Sequence, residues 1–239
     1  TLPYILGTKC PAECVNVMPS EDMLMHLVPR SSNSGKEKLT IPLKPGFTIH
    51  SVASWENIEE NTLELLTTAW RCEDVASGQA QGGLLGNWEG TAPNFDSIPL
   101  TLLYHSIVDT SSGALIRHDP VIHMEDIVVE HPHINPHYES QKVRYVYMSV
   151  GSQTGVSSPP LGYLKLDIQT GKQEYWYAPL HTYCEEVVVI PKENGKDEDD
   201  VYLMVTMFDS VKDKSCVAIL DGKDIGSGPV STTWLRLHL

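Results

Sequence analysis

The feature that most constrains the fold is a hairpin signal that occurs three times: a strand-like run, a turn from Asp to Gly, and a second strand-like run. The clearest copy spans residues 163–177 and turns from Asp167 to Gly171, and the other two span residues 103–116 and 216–235. The copies recur at a period of roughly 50 residues, which is the repeat length of a β-propeller blade. The pattern therefore predicts an all-β chain, either a β-propeller or a sandwich of meandering hairpins.

Further strands are predicted where β-branched and aromatic residues cluster, at residues 127–129, 144–150, 187–190 and 202–208. Residues 59–75 are ambiguous, because their composition fits an amphipathic helix while the alternation around Leu63 and Leu65 fits a strand. Residues 78–97 are rich in Gly, Asn and Pro and are predicted to form a long loop.

The charge of the chain argues against a nucleic-acid partner. The formal net charge is −14, the isoelectric point is about 5.0, and Lys and Arg form no cluster. Such a surface repels nucleic acid and anionic lipid. Much of the acidity lies in residues 193–200, which are predicted to form a polar hairpin loop.

The cysteines predict a reducing compartment, such as the cytoplasm or a plastid. There are five of them, an odd number, which suits free thiols better than a disulfide scaffold. Cys10 and Cys14 are spaced more widely than the cysteines of a typical zinc knuckle, and no second pair of Cys or His follows, so we expect no zinc there.

The two ends of the sequence suggest a piece of a longer protein. The first residue is Thr1, and residues 234–239 look like a strand stopped midway. No apolar stretch approaches the roughly 20 residues needed to span a bilayer, and no signal-peptide pattern is visible. We expect residues 1–239 to form a single-domain fragment.

Three segments carry candidate chemistry. His50 closes a short apolar run and is followed at five and six residues by Trp55 and Glu56. Glu130 opens the run Glu-His-Pro-His-Ile-Asn-Pro, and Glu186 opens the run Glu-Val-Val-Val-Ile-Pro. Both glutamates adjoin β-branched residues, where a buried carboxylate must be paired or hydrogen-bonded. From the residues alone, an ordinary half-buried histidine and two glutamates that face solvent or pair with Arg or Lys remain open alternatives.

In this order, the three segments resemble the carotenoid cleavage oxygenases. The second is similar to that family's Glu-Phe-Pro-Xaa-Ile-Asn-Pro block and the third to its Glu-Pro-Val-Phe-Val-Pro block. Residues 161–167 with the turn at 170–171, residues 201–209 with 217–221, and residues 228–230 extend the resemblance over most of the chain. Because members of the family are seven-bladed propellers with iron on the axis, the resemblance implies a partial seven-bladed β-propeller. It also favours a strand for residues 59–75.

The resemblance implies a non-haem Fe(II) dioxygenase that cleaves a conjugated carbon–carbon double bond of a carotenoid or apocarotenoid with O2. Two carbonyl products result, and Fe2+ is the only cofactor implied. The partners would be a hydrophobic polyene substrate and O2. Any peripheral association with a membrane would involve parts outside this chain.

The same resemblance gives three residues a role in the iron site. It makes His50 one of four iron-binding histidines, and it makes Glu130 and Glu186 carboxylates that hydrogen-bond iron-bound histidines. Glu185 is the rival of Glu186, and the count back from Pro191 favours Glu186. The other three histidine ligands are expected before residue 1 and after residue 239, so we expect residues 1–239 alone to be inactive.

Other histidines near these motifs are not expected to bind iron. His131, His133 and His137 lie within seven residues, but the family's counterparts are not ligands, and prolines interrupt the strand. We interpret them as surface or pocket-rim residues. His238 lies just before the place where the last ligand is expected, and we interpret it as unrelated to the site.

Two alternative functions remain open. One is a retinoid isomerase or stilbene-cleaving oxygenase on the same scaffold. The other is a non-catalytic propeller that acts as a binding module. Small departures from the family pattern, such as His131 for Phe and Val187 for Pro, concern the subfamily more than the family.

Overall fold

A computed structural model of the chain describes residues 2–9, 17–31, 35, 37–78, 88–89, 92–121 and 126–236. Antiparallel strands dominate the described residues, which confirms the all-β prediction. Two short α-helices are present in this part of the chain, α1 (Leu2–Ile5) and α2 (Cys72–Ala76). No helix among the described residues is long and apolar enough to cross a membrane.

The strands fall into five sheets within the described residues. A hairpin of β1 (Met23–Leu27) and β2 (Leu39–Leu43) comes first. The first blade contains β3 (Thr48–Asn57), β4 (Thr62–Trp70), β7 (Thr101–Asp109) and β8 (Leu115–Pro120), and the short ladder of β5 (Trp88–Glu89) and β6 (Ala92–Pro93) lies between β4 and β7 in sequence. The second blade contains β9 (Ile127–His133), β10 (Tyr145–Thr154), β11 (Gly162–Asp167) and β12 (Gln173–Tyr177). The third blade contains β13 (Thr182–Pro191), β14 (Val201–Asp209), β15 (Lys214–Asp221) and β16 (Asp224–Trp234).

Each blade is a meander in which strands follow one another in space as they do in sequence. The turn between the third and fourth strand of each blade begins at Asp109, Asp167 or Asp221. In each case one carboxylate oxygen accepts hydrogen bonds from backbone N–H groups two or three residues later. An aspartate suits this position because its short side chain can satisfy the donors that a tight turn exposes. The recurring sequence signal is thus the outer hairpin of each blade.

The second blade is buried on both faces. Val146, Met148 and Leu164 belong to the core shared with the first blade. Tyr147 and Tyr163, which point to the opposite face because side chains alternate along a strand, belong to the core shared with the third blade. The three sheets therefore stack face to face, as propeller blades do, and the sandwich alternative is not observed.

The loop at residues 193–200 forms contacts with the second blade. The Asp199 carboxylate lies 2.7 Å from the Nζ of Lys165 in the second blade. A carboxylate oxygen of Glu198 accepts hydrogen bonds from the backbone N–H groups of Arg144 and Tyr145. The loop joins β13 to β14, as predicted, and its acidic residues also connect the third blade to the second.

The ambiguous stretch at residues 59–75 contains both a strand and a helix. Residues 62–70 form β4, as the resemblance favoured, and α2 follows after one residue. Asp74 holds this helix in place, because one carboxylate oxygen accepts from the Arg71 guanidinium and the other from the backbone N–H of Leu100.

Of the predicted loop at 78–97, residues 79–87 and 90–91 lie outside the described residues. The remainder contains the β5–β6 ladder and a 3-10 helix, Phe95–Ser97.

Asp199→Asn is expected to destabilise the fold by about 3 kcal/mol, because it leaves the nearly buried Lys165 ammonium without its counter-charge. The side chains of Lys165 and Asp199 are only 9% and 15% exposed. The free energy of unfolding in urea measures the loss. Asp197→Asn is the matched control, since Asp197 pairs with Lys223 at an exposed position. Equal losses in the two variants would contradict a special role for the buried pair.

Because His118 is buried, we expect the folded protein to lose stability in mild acid. The ring of this histidine stacks on Tyr104, and its Nδ1 lies 2.8 Å from the Ser106 hydroxyl. Burial lowers the pKa of His118, so the folded protein resists a proton that the unfolded chain accepts. Stability is therefore full above the ordinary histidine pKa and falls as the pH drops below it.

Urea unfolding at several pH values between 7.5 and 5 tests this contribution. We expect His118→Gln to flatten the dependence of the free energy of unfolding on pH by at most about 1.4 kcal/mol per pH unit. An unchanged slope would show that His118 is not responsible.

Candidate functional site

The first strands of the three blades, β3, β9 and β13, approach one another and line a cavity. Its volume is about 520 Å³. The polar side chains in its wall are those of His50, Ser51, His131, His133, Glu139 and Glu186. Valines, prolines and an isoleucine from the same segments complete the wall. The cavity therefore combines imidazole and carboxylate groups with apolar surface.

His50 is hydrogen-bonded to Glu130. The Nε2 of His50 lies 3.2 Å from Oε2 of Glu130, although the two residues are 80 positions apart in sequence. Their side chains are 39% and 24% exposed, so the pair lies outside the buried core, and His50 lines the cavity. Strand β3 is irregular on both sides of His50, where its register with β4 shifts. The structure thus joins two of the three predicted site residues directly.

A bulge next to Glu130 shapes the opposite wall. In the ladder between β9 and β10, Glu130 is opposite Ser149 and the register shifts immediately afterwards. The next residue, His131, has a φ of 51°, in the left-handed region that non-glycine residues rarely adopt. The Ser149 hydroxyl donates to the Glu130 carbonyl at 3.0 Å and contacts Nδ1 of His131 at 2.9 Å. These contacts hold the His131 ring 6.2 Å from the His50 ring, centroid to centroid.

Glu186 lines the same cavity, and its neighbour Glu185 does not. The register of β13 with β14 shifts between Cys184 and Val187, so the two glutamates lie in a bulge. Desolvation lowers the pKa of His133, and the negative charge of Glu186 acts in the opposite direction. Glu186 is therefore close enough to His133 to interact electrostatically with it.

The arrangement suits one histidine ligand of a metal ion. A metal-bound histidine usually donates a hydrogen bond from its other ring N–H to a carboxylate, and this bond fixes the tautomer and the ring orientation. Glu130 occupies that position relative to Nε2 of His50, which leaves Nδ1 for a metal. Among the residues that the structure describes, no group of three or more His, Cys, Asp or Glu is placed to hold a metal ion. In the cavity, His50 is the imidazole that is hydrogen-bonded to a carboxylate.

The remaining candidates are the other histidines near the motifs and the cysteines, and some of them lie in the described part of the chain. His137 lies on a 3-10 helix, Pro136–Tyr138, where its backbone N–H donates to the Asn135 side chain. His238, Cys10 and Cys14 lie outside the described residues. The described cysteines, Cys72, Cys184 and Cys216, are free thiols and are buried.

Sequence reasoning missed the contribution of Ser149 to the site. Ser149 is fully buried in the middle of a strand and carries no motif of its own. Only the cross-strand pairing with Glu130 reveals that its hydroxyl supports both Glu130 and His131.

The chain is similar to one protein family and to several proteins that are named as carotenoid or apocarotenoid oxygenases. The sequence profile of the retinal pigment epithelial membrane protein (RPE65) family matches residues 3–239. The apocarotenoid-15,15'-oxygenase of Synechocystis sp. (strain ATCC 27184 / PCC 6803 / Kazusa) is 26% identical over 238 residues, which cover 100% of this chain and 45% of that protein. The carotenoid 9,10(9',10')-cleavage dioxygenase of Crocus sativus is 30% identical over 201 residues, 79% of this chain and 34% of that protein.

Solved structures show the same fold. A variant of the Synechocystis apocarotenoid oxygenase superposes with a TM-score of 0.84 at 25% identity and covers 100% of this chain and 46% of that one. A cobalt-substituted form of the Synechocystis enzyme has a TM-score of 0.83 at 24% identity, with 99% and 46% covered. The chain spans about half the length of the relatives that it matches.

Ser149→Ala should destabilise the protein by about 2 kcal/mol, because the half-buried Glu130 carbonyl and the His131 ring each lose a hydrogen-bond partner. Urea unfolding measures the loss. Ser152→Ala, on an exposed position of the same strand, is the control and should change the free energy of unfolding little. A Ser149→Ala variant as stable as this control would contradict the supporting role of the hydroxyl.

Proposed function

Because the chain belongs to the retinal pigment epithelial membrane protein family, we propose that the protein containing it is a non-haem Fe(II) dioxygenase. Its reaction would be cleavage of a conjugated double bond of a carotenoid or apocarotenoid with O2, giving two carbonyl products. The relatives named for such cleavage support the reaction class. The single observation that carries the proposal is the His50–Glu130 hydrogen bond at the wall of an open, partly apolar cavity.

His50 would hold the iron through Nδ1. The Glu130 carboxylate accepts a hydrogen bond from the Nε2–H of His50, which fixes the tautomer that leaves Nδ1 unprotonated. Imidazole nitrogen is a good ligand for Fe(II), although it also suits zinc, copper and nickel. The bound iron would supply the activation of dioxygen.

Glu186 is proposed to orient a second iron-bound histidine that lies outside the described residues. Its carboxylate faces the cavity from β13, the first strand of the third blade. A carboxylate at such a position is stabilised when it accepts a hydrogen bond from an imidazole N–H.

The apolar part of the wall suits a polyene substrate. Val52, Ile134 and Val188 come from three different blades or their connecting loops and line the cavity together with the prolines. Contact between such side chains and a conjugated hydrocarbon removes apolar surface of both from water. The polar groups are left to hold the metal, and the apolar groups to position the substrate.

Residues 1–239 are proposed to be inactive when isolated. They cover 45% of the length of the apocarotenoid oxygenase that they resemble. Their described part supplies no group of three or more potential metal ligands, and His50 is the one predicted ligand that it contains. Tight binding of one ferrous ion by the purified 239-residue polypeptide would contradict this proposal.

Substitution of the carboxylates tests the proposal in the full-length protein. Glu130→Gln and Glu186→Gln are each expected to lower iron affinity or cleavage rate by about 10- to 100-fold, because an amide orients an imidazole less strongly than a carboxylate. Metal analysis and chromatography of the products from an apocarotenal measure the two effects. Glu185→Gln is the matched control and should leave both unchanged.

The outcomes separate the competing functions. Loss in Glu185→Gln but not in Glu186→Gln would contradict the assignment of Glu186. Isomerised retinoid or cleaved stilbene, with intact apocarotenal, would favour the alternative reactions on this scaffold. Full-length protein that binds no iron and forms no product would point to a binding module.

A further inference from the structure

A second cavity lies between the first and second blades, away from the site of His50. Its volume is about 630 Å³, and we call it the interblade crevice. Trp55 lines the crevice and is five residues beyond His50 on β3, roughly 16 Å along an extended strand. None of the residues that line the crevice also lines the cavity of His50.

The interblade crevice is locally cationic in an acidic chain. Arg117, Lys142 and Arg144 line it, and Glu64 is the one carboxylate in its lining. The formal net charge of the whole chain is −14. A concentration of positive charge against that background attracts an anion.

The carboxylate of the crevice, that of Glu64, is already hydrogen-bonded to a histidine. Oε2 of Glu64 lies 2.8 Å from Nε2 of His105, and both side chains are largely buried. Desolvation lowers the pKa of His105, Glu64 raises it, and Arg117 and Lys142 lower it. The two cations therefore lie within electrostatic range of one imidazole of the crevice wall.

Two of the three cations have capacity for a ligand. Both guanidinium contacts of Arg144 go to Asp167, at 3.0 and 2.7 Å, so this arginine is largely satisfied. Arg117 reaches Asp119 only at 4.0 Å, the outer limit of an ion pair. Lys142 forms no ion pair with a described residue and is exposed. Arg117 and Lys142 are thus the groups that an anion would meet.

The inner wall of the crevice is apolar. Leu66, Val121 and Val143 are buried members of the core between the first two blades, and Ile168 packs against them. Trp55 is 5% exposed, and its Nε1 has no hydrogen-bond acceptor among the described residues. Buried indole N–H groups normally find an acceptor, so this part of the wall retains an unused donor.

We propose that the interblade crevice binds a small carboxylate with an apolar body. The apolar body lies against Ile168, which packs on the buried core that contains Leu66 and Val143, and the carboxylate pairs with Lys142 and Arg117 at the rim. This ligand matches the crevice because its negative charge can pair with Arg117 and Lys142, which lack a close carboxylate partner, and its apolar surface can contact the apolar wall. The site is independent of the iron site and of the reaction proposed for it.

Titration of octanoate into the full-length protein tests the site. With fluorotryptophan incorporated, octanoate should shift the fluorine NMR resonance that Trp55→Phe removes. Calorimetry should show that Lys142→Gln and Arg117→Gln each weaken octanoate binding about tenfold, since each removes one charge-assisted hydrogen bond. Lys214→Gln, which changes an exposed lysine at the start of β15 in the third blade, should leave binding unchanged.

Three results would overturn the proposal. The first is octanoate binding that leaves the Trp55 resonance in place, because the ligand would then occupy another site. The second is octanol binding as tightly as octanoate, which would remove the role of the carboxylate. The third is inorganic phosphate or acetate binding as tightly, which would remove the role of the apolar body.

Discussion

The structure depends on one packing constraint: the second blade carries apolar side chains on both faces and must be covered on both. Val146 and Met148 require the first blade, and Tyr147 and Tyr163 require the third. A sheet buried on one face can end a domain, whereas a sheet buried on two faces must be flanked on each side. Stacking of twisted four-stranded sheets in this way brings their first strands to one side. The approach of β3, β9 and β13 follows from it.

That convergence is what creates the polar site. His50 and Glu130 lie 80 positions apart, and each belongs to a strand that is otherwise apolar on its packed face. A carboxylate at such a position carries a cost of desolvation, and its hydrogen bond to an imidazole offsets part of that cost. The bulge at His131, held by the Ser149 hydroxyl, adds further imidazole to the same wall. Packing of the blades and chemistry of the cavity are therefore parts of one arrangement.

Charge in this protein acts locally rather than through its total. Residues 193–200 contribute heavily to the acidity of the chain, yet Glu198 and Asp199 bond to backbone and lysine groups of the neighbouring blade. The interblade crevice shows the opposite sign, with Arg117 and Lys142 beside a Glu64 that is hydrogen-bonded to His105. The same acidic chain thus has a contact between blades fixed by carboxylates and a crevice suited to an anion.

Local features of this protein could be predicted because they depend on neighbouring residues. The turns at Asp109, Asp167 and Asp221 are determined by a side chain that bonds to backbone two or three residues away, and strand alternation is equally local. Three ordered motifs also sufficed to indicate the family and to select His50, Glu130 and Glu186 as candidates. The sequence left open whether residues 59–75 were a strand or a helix, and the structure contains both.

Tertiary structure alone decided which side chains meet. The contacts between His50 and Glu130, between Ser149 and His131, and between Lys165 and Asp199 all join different strands or blades. The interblade crevice likewise exists only where two blades face each other. Such contacts depend on strand register, on bulges and on the angle between sheets, which arise from packing over the whole molecule. No short stretch of sequence contains that information, because neither partner of a long-range contact specifies the position of the other.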